Sequence, residues 1–264
     1  MLSKEKIKQI KKLHSKKWRT ESWLFLVEGR KMILELLASD WIEQIEEFYV
    51  SEKLYTEVVA LFSSGREEIQ RWVIAWEDIL SKISTLENNS DWVAVVRQNV
   101  QVSQSHPLSQ PFPHREKGVS HNSWTLVLDG IRDPWNMGTI LRTAAWFWVR
   151  QIIISEDSVE IYNPKVVSAT MWALFHLEIH YENPENFYKK NTLSVYGAEL
   201  WGQDIREIPF PKSWVLVMWS ESHGISEISQ KYMTQWVLIP KLGYWESLNV
   251  GIASWILLSH ISQL

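Results

Sequence analysis

From residue 124 onward, short apolar runs alternate with helical segments, and this alternation constrains the fold more than any other feature of the chain. The predicted strands are Leu126–Leu128, Gln151–Ile154, Leu193–Tyr196, Val215–Met218 and Trp236–Ile239. Parallel strands need a long crossover between them, which is usually a helix. The pattern therefore predicts an α/β domain with a doubly wound, mainly parallel sheet.

A smaller α/β unit is predicted before this domain. Its strands are expected at residues 23–27, 45–50, 72–75 and 92–96, and its helices at 29–38 and 53–62. Residues 99–122 lose this periodicity and collect Pro107, Pro111 and Pro113, a composition typical of a linker. We predict a basic N-terminal arm (1–20), a substrate-binding domain (21–98), the linker (99–122) and a catalytic domain (123–264).

The formal net charge of −4 means that a nucleic-acid partner would have to bind a local basic patch. Residues 1–20 form such a patch, because they carry eight Lys and Arg residues against the single acid Glu5. This segment has a net charge of +7, and the remainder of the chain has −11. The pattern fits a solvated N-terminal helix and an RNA-contacting arm equally well.

Several classes of protein are disfavoured by composition. The chain has no cysteine, so it has neither disulfides nor thiolate metal ligands. His176, His180 and His223 match no zinc-binding spacing, and no metal is expected. Nothing resembles a signal peptide or a membrane-spanning run, so we expect a soluble cytoplasmic protein without a membrane partner.

Three segments carry polar residues directly after predicted strands, where ligands bind in open α/β sheets. Residues 126–145 contain Asn136 and Arg142, residues 215–225 contain Glu221, and residues 239–250 contain Asn249. Taken alone, Asn136 fits a helix cap, Arg142 a solvated helical charge and Glu221 an acid near a helix start. The three segments are informative only as a set.

As a set, they closely resemble the three motifs of the SpoU (TrmH-type) RNA ribose methyltransferases of the SPOUT superfamily. The motifs are Asn-x-Gly-x-x-x-Arg at Asn136–Arg142, a Gly-Ser-Glu-Gly-x-Gly-like loop around Glu221, and Ser-Leu-Asn-Val at Ser247–Val250. The resemblance covers residues 123–264 and, more weakly, residues 21–98, where Leu26–Gly29 looks like the family's ribosomal-protein-like substrate-binding domain.

This resemblance implies a trefoil-knotted C-terminal α/β domain, which is an exception to the rule that chains do not thread themselves. It also implies a homodimer with cofactor sites near the subunit interface. The implied reaction moves a methyl group from S-adenosylmethionine to a ribose 2'-hydroxyl of ribosomal or transfer RNA.

The same resemblance assigns the catalytic residues as Arg142, Asn136, Glu221 and Asn249. Arg142 is expected at the reacting ribose or its phosphate, as base or as electrostatic clamp, and the permanent charge of arginine favours the clamp. Asn136 is expected to order the loop that presents Arg142, whereas Glu221 and Asn249 supply polar groups around the target nucleotide. Backbone groups at Trp219, Ile239 and Leu248 are expected to hold the cofactor. A loop at residues 196–198, which contains Gly197 and Ala198, is expected beside it, with a hydroxyl contact from Ser247.

Tryptophan is abnormally frequent, with 17 residues against 10 glycines, although glycine usually makes up about 7% of a chain. The family has glycine at positions where this chain has Trp135, Trp146, Trp148, Trp172, Trp219 and Trp255. An indole cannot serve where the backbone needs positive φ or a close approach, and at Trp219 it would occupy cofactor space. Our hypothesis is that the host reads UGA codons as glycine, and that these codons are translated in this sequence as tryptophan.

Two other functions are considered. If the tryptophans are genuine, the chain is a catalytically inactive RNA-binding protein of the same fold, and cofactor binding distinguishes this case. A Rossmann-type dehydrogenase is disfavoured, because residues 129–133 after the first strand of the second domain do not form a Gly-x-Gly-x-x-Gly turn.

Overall fold

The computed structural model describes residues 2–56, 72–86, 91–98, 124–149, 151–219, 224–244 and 246–262. The chain divides into two compact units, residues 1–99 with 160–175, and residues 100–159 with 176–264. The linker predicted at 99–122 lies outside the described residues. So does most of the helix predicted at 53–62, of which residues up to 56 are described and helical.

The first unit contains a mixed four-stranded sheet. Its strands are β1 (Leu24–Glu28), β2 (Ile45–Val50), β3 (Trp72–Ile74) and β4 (Trp92–Arg97), in the order β1-β4-β2-β3. Strand β4 is antiparallel to β1 and β2, whereas β3 is parallel to β2. The described helices of this unit are Lys4–Lys12, Lys16–Ser22, Arg30–Ala38, Glu77–Ile83 and Pro164–Thr170.

The basic N-terminal segment forms the two helices Lys4–Lys12 and Lys16–Ser22, and the first of them is docked on the core of the first unit. Ser3 caps the Lys4–Lys12 helix by accepting a hydrogen bond from the Lys6 N–H. Ile10 and Leu13 on one side of this helix are buried in the core of the first unit, together with residues of β1, β4 and the Glu77–Ile83 helix. Apolar burial therefore fixes this helix and leaves most of its lysines outward.

Residues 160–175 pack with the first unit, although the predicted domain organisation places them in the catalytic domain. Tyr162 lies against Phe25 of β1, with 4.4 Å between the ring centroids. Arg19 is only 2% exposed, forms an ion pair with Glu160 and donates to the Leu13 carbonyl at 2.7 Å. Local patterns cannot reveal this arrangement, because the partners are more than a hundred residues apart.

The second unit contains a six-stranded, all-parallel sheet. Its strands are β5 (Trp124–Asp129), β6 (Gln151–Ile154), β7 (Glu178–Tyr181), β8 (Val195–Asp204), β9 (Trp214–Trp219) and β10 (Gln235–Leu238), in the order β10-β8-β9-β5-β6-β7. The described helices are Pro134–Trp146, Pro184–Tyr188, Glu227–Gln230 and Val250–Ile261. The predicted α/β fold with a parallel sheet is confirmed, whereas the trefoil knot stays a prediction.

Two strands differ from the sequence prediction. Strand β7 was not predicted, because its four residues alternate polar and apolar side chains and lie at the sheet edge. Strand β8 was predicted at 193–196 but spans Val195–Asp204. Its second half carries polar and exposed residues, which hide a strand from a search for apolar runs.

Tryptophan occupies a backbone position that suits glycine at the end of the Pro134–Trp146 helix. Trp148 has φ +62°, while its N–H reaches the Ala145 carbonyl and the Val149 N–H reaches the Ala144 carbonyl. This is the Schellman motif, whose left-handed residue is usually glycine. Trp23, which follows the Lys16–Ser22 helix, has φ +57°. A side chain with a Cβ costs about 1–2 kcal/mol in this conformation, so both positions support the glycine hypothesis.

Candidate active site

A pocket of about 380 Å³ opens at the carboxyl ends of β9 and β10, beyond the last residues at which β8 pairs with β9. The lining residues come from β8 (Ala198, Glu199 and Leu200), from β9 (Met218 and Trp219), and from the end of β10 and the loop after it (residues 238–243). The rest come from the segment before the last helix (Glu246, Ser247 and Leu248) and from the start of that helix (Val250 and Ala253). From β5 the sheet extends through β6 and β7 on one side and through β9, β8 and β10 on the other, so the strand order switches between β5 and β9. Ligands bind at such switch points in open α/β sheets.

A bulge in β8 builds one wall of this pocket. Strand β8 pairs with β10 up to Gly197 and again from Gln203, while the pairing on β10 passes directly from Trp236 to Val237. Residues 198–202 are therefore extra on β8 and project Ala198, Glu199 and Leu200 toward the pocket. At Gly202 a Cβ would lie 2.6 Å from the Val237 carbonyl carbon, so the return of the bulge requires glycine.

Two motif asparagines are joined directly, although 113 positions separate them. Asn249 Nδ2 donates to Asn136 Oδ1 at 2.9 Å. Asn249 Oδ1 also accepts from the N–H groups of Gly251 and Ile252, at 2.9 and 3.4 Å, and so caps the Val250–Ile261 helix. The cap of the Pro134–Trp146 helix is Asp133, not Asn136. Asn136 is thus free of a capping role and connects the first motif to the third.

Buried serines hold the loop that precedes the first motif. Ser155 Oγ accepts from the Gly130 N–H at 2.8 Å, and Ser158 Oγ accepts from the Ile131 N–H at 3.0 Å. Both serines are buried and lie within hydrogen-bond distance of each other. The loop therefore enters the Pro134–Trp146 helix from a fixed position.

A buried carboxylate holds the chain directly after the second motif. Asp129, buried at the end of β5, accepts from the Ser226 N–H at 3.0 Å through Oδ2. Nearby, the Tyr188 hydroxyl donates to Ser229 Oγ at 3.1 Å. Burial raises the pKa of Tyr188, and the charge of Asp129 raises this pKa further, so Tyr188 remains a hydrogen-bond donor.

The structure brings most of the proposed cofactor residues together. Trp219, Ile239, Ser247, Leu248 and Ala198 all line the pocket. Gly197 does not line it, because it lies one residue earlier in β8, where a Cβ would meet Ile225 and Met233 at 2.7 and 2.8 Å. The predicted loop at 196–198 is thus part of a strand.

The proposed catalytic residues are more spread out. Arg142 is exposed on the Pro134–Trp146 helix, and no carboxylate of the described residues pairs with it. It lies six residues beyond Asn136, or about 9 Å along the helix axis. Glu221 and His223 lie outside the described residues, so their placement is not part of this geometry. The roles of all four catalytic residues stay predictions.

Sequence reasoning assigned no role to three charged residues of the pocket, Glu199, Lys241 and Glu246. No local signal marked Glu199, because its position depends on the bulge in β8, whereas Lys241 directly follows the Ile-Pro turn that carries the third motif. Among the residues that the structure describes, no cluster of His, Asp and Glu could hold a metal ion. No helix in the described ranges is long and apolar enough to cross a membrane.

Two family models match the chain. Residues 123–259 match the SpoU rRNA Methylase family, and residues 4–94 match an MRM3-like substrate binding domain. The N-terminal match lies within the first unit and confirms a separate N-terminal substrate-binding domain, whereas the SpoU match covers most of the second unit together with residues 160–175 of the first. They also confirm the family that the three motifs indicate.

Individual relatives span almost the whole chain. The 23S rRNA (guanosine(2553)-2'-O)-methyltransferase RlmP of Bacillus subtilis is 27% identical, over 97% of this chain and 96% of that protein. The structure of an AdoMet-bound rRNA methyltransferase from Sinorhizobium meliloti is 26% identical, with a TM-score of 0.82 over 100% of this chain and 96% of that one. A TrmH-family protein from Porphyromonas gingivalis is 31% identical, with a TM-score of 0.79 over 99% and 98% of the two chains.

The matched model covers just over half of the chain, and the polar residues of its first and third motifs meet beside the pocket. The chain therefore belongs to the SpoU rRNA methylase family and is an RNA methyltransferase of that family.

Proposed function

We propose that this protein methylates a ribose 2'-hydroxyl of ribosomal RNA with S-adenosylmethionine as the methyl donor. The observation that carries the proposal is the hydrogen bond between Asn249 and Asn136, which ties the helix beside the pocket to the helix that bears Arg142. The B. subtilis relative is a 2'-O-methyltransferase of 23S rRNA, which favours ribosomal over transfer RNA.

The pocket suits S-adenosylmethionine in size and in chemistry. Small-molecule sites enclose about 300–1,000 Å³ and combine apolar walls with a few polar groups. Leu200, Met218 and Leu238 supply apolar walls, and the Glu199 carboxylate suits a ligand that carries positive charge on a sulfonium and an amine. The S. meliloti relative was solved with this cofactor bound.

The bound cofactor supplies an electrophilic methyl carbon, and the residues of the chain must prepare the ribose oxygen. When bound, the cofactor would supply the methyl group from its sulfonium and leave as a neutral thioether, and the proton of the ribose hydroxyl would pass to solvent water. Arg142, a permanent cation, holds the reacting ribose or its phosphate and stabilises the developing negative charge on oxygen. Asn136 and Asn249 fix the relative position of the two motifs, which supports an in-line approach.

We further propose that the protein works as a homodimer. Leu248 and Ile252 are about half exposed at the start of the Val250–Ile261 helix, which packs against the Pro134–Trp146 helix. An apolar surface of this kind supports burial against a second copy. We also propose that the C-terminal α/β domain has the trefoil knot that the family resemblance implies. A ribosomal RNA substrate implies that the protein acts in the cytoplasm.

The test is transfer of labelled methyl from S-adenosylmethionine to unmodified ribosomal RNA, followed by nucleoside analysis. Label in 2'-O-methyl nucleosides is the expected result. Arg142→Ala should abolish transfer while leaving cofactor binding intact, whereas Arg206→Ala, at an exposed arginine paired with Asp204, should not affect transfer. Label on a base, or full transfer by Arg142→Ala, would refute the proposed reaction or the role of Arg142. RNA binding without cofactor binding or transfer would support the inactive alternative.

A further inference from the structure

The Lys4–Lys12 helix presents a lysine face to solvent on the first unit. Its apolar side, with Ile7 and Ile10, packs on the core. Lys4, Lys8 and Lys11 are exposed on the side away from that core. This face, together with Lys16 at the start of the next helix, is called the lysine face below.

These charges are not balanced by nearby acids. Among the described residues, Lys6 pairs with Glu47, Lys17 with Glu21, and Arg19 with Glu160. No described carboxylate lies within ion-pair distance of the four members of the lysine face.

The spacing of the lysines places like charges side by side on the helix. Lys4 and Lys8, and Lys8 and Lys12, are separated by four positions, where like charges repel across a helix surface at a cost of a few tenths of a kcal/mol for each pair. Glu5 in the first turn and Lys11 and Lys12 in the last turn are favourable to the helix dipole and offset part of this cost. A surface of unpaired like charges attracts a partner of opposite charge.

We propose that the lysine face of the first unit binds the phosphate backbone of the RNA substrate. The inference rests on the proposed function, because an RNA methyltransferase encounters RNA as its main polyanion. Lysine–phosphate contacts supply affinity and position the protein but do not read sequence. The lysine face therefore anchors the RNA, and the second unit performs the chemistry.

The experiment compares two triple variants with the same change in charge. Lys4→Gln/Lys8→Gln/Lys11→Gln removes the lysine face, and Lys190→Gln/Lys212→Gln/Lys231→Gln removes three exposed lysines of the second unit. The probe is a fluorescent RNA hairpin of arbitrary sequence, because phosphate contacts do not depend on sequence. Its affinity is measured between about 50 and 200 mM salt.

We expect the slope of log affinity against log salt to become shallower by about 2–3 for the lysine-face variant, since each phosphate contact contributes about 0.7–0.9. The control variant should keep the wild-type slope. Replacing the same three lysines by arginine should restore binding, which excludes misfolding as the cause. Equal slopes for the two Gln variants, or tighter binding of anionic lipid vesicles than of RNA through these lysines, would overturn the inference.

The inference can fail separately from the proposed function. Methyl transfer at saturating RNA and low salt should persist in the lysine-face variant, with a raised KM and an unchanged kcat. Cofactor affinity should also be unchanged. If wild-type protein binds the hairpin through these lysines but never transfers methyl, the proposed function fails and the lysine face stands.

Discussion

The bond between Asn249 and Asn136 gives the most direct test of the site geometry. Asn249→Ala removes the cap of the Val250–Ile261 helix, which costs about 1 kcal/mol, and also removes the bond to Asn136, which contributes about 1 kcal/mol. The expected loss is about 2 kcal/mol, or a fall in Tm of about 4–8 °C for a domain of this size. Asn183→Ala is the matched control, because Asn183 caps the Pro184–Tyr188 helix through a single hydrogen bond to the Glu185 N–H.

A double-mutant cycle isolates the bond between the two motifs. Calorimetry on Asn136→Ala, Asn249→Ala and the double variant should give a coupling energy of about 1 kcal/mol. Asn249→Asp should keep the cap, because a carboxylate accepts the same N–H bonds and is favoured at a helix N-terminus. A coupling energy near zero, with equal losses for Asn249→Ala and Asn183→Ala, would show that the motifs are not energetically linked.

Three further predictions test other parts of the chain. Trp148→Gly should stabilise the protein by about 1 kcal/mol in thermal unfolding because φ is positive there, whereas Trp255→Gly inside a helix should destabilise it; equal effects would contradict the backbone argument for glycine at position 148. Glu160→Ala should cost about 3 kcal/mol in urea unfolding because it leaves the Arg19 guanidinium buried without its carboxylate, and a loss below about 1 kcal/mol would exclude a structural role for the pair. Burial raises the pKa of the Glu28 carboxyl above its unfolded-state value, so the free energy of unfolding falls as pH rises through the range between the two pKa values. The Tm difference between Glu28→Gln and wild type should therefore be more positive at about pH 7 than at about pH 4, and a pH-independent difference would refute this.

The sequence predicted the catalytic unit well because its strands are buried on both faces. Leu126, Val127 and Leu128 are fully buried, and such uninterrupted apolar runs mark central strands of a parallel sheet. Of the polar residues expected after these strands, the structure brings Asn136 and Asn249 together, whereas Glu221 lies outside the described residues. Strand β7 escaped prediction because an edge strand buries only part of its surface.

Features that depend on distant partners were beyond a sequence pattern. The bulge in β8 exists only through its pairing with β10, so the place of Glu199 in the pocket had no local signal. Nothing local in residues 160–175 indicates which unit they pack with. Their docking on the first unit depends on Phe25 and on buried Arg19. The resemblance between families, and not spacing alone, predicted that Asn136 and Asn249 belong to one site.

The choice between an active methyltransferase and an inactive RNA-binding protein depends on Trp219, and the placement of this residue favours the active enzyme. The sequence suggested that an indole at this position would occupy cofactor space. In the structure Trp219 is half-buried at the end of β9 and lines the pocket, which still encloses about 380 Å³ with the indole present. Because this volume already falls within the usual range for small-molecule sites, the indole does not close the pocket. Glycine at this position would enlarge it, so the pocket has the volume of a small-molecule site under either reading of the codon.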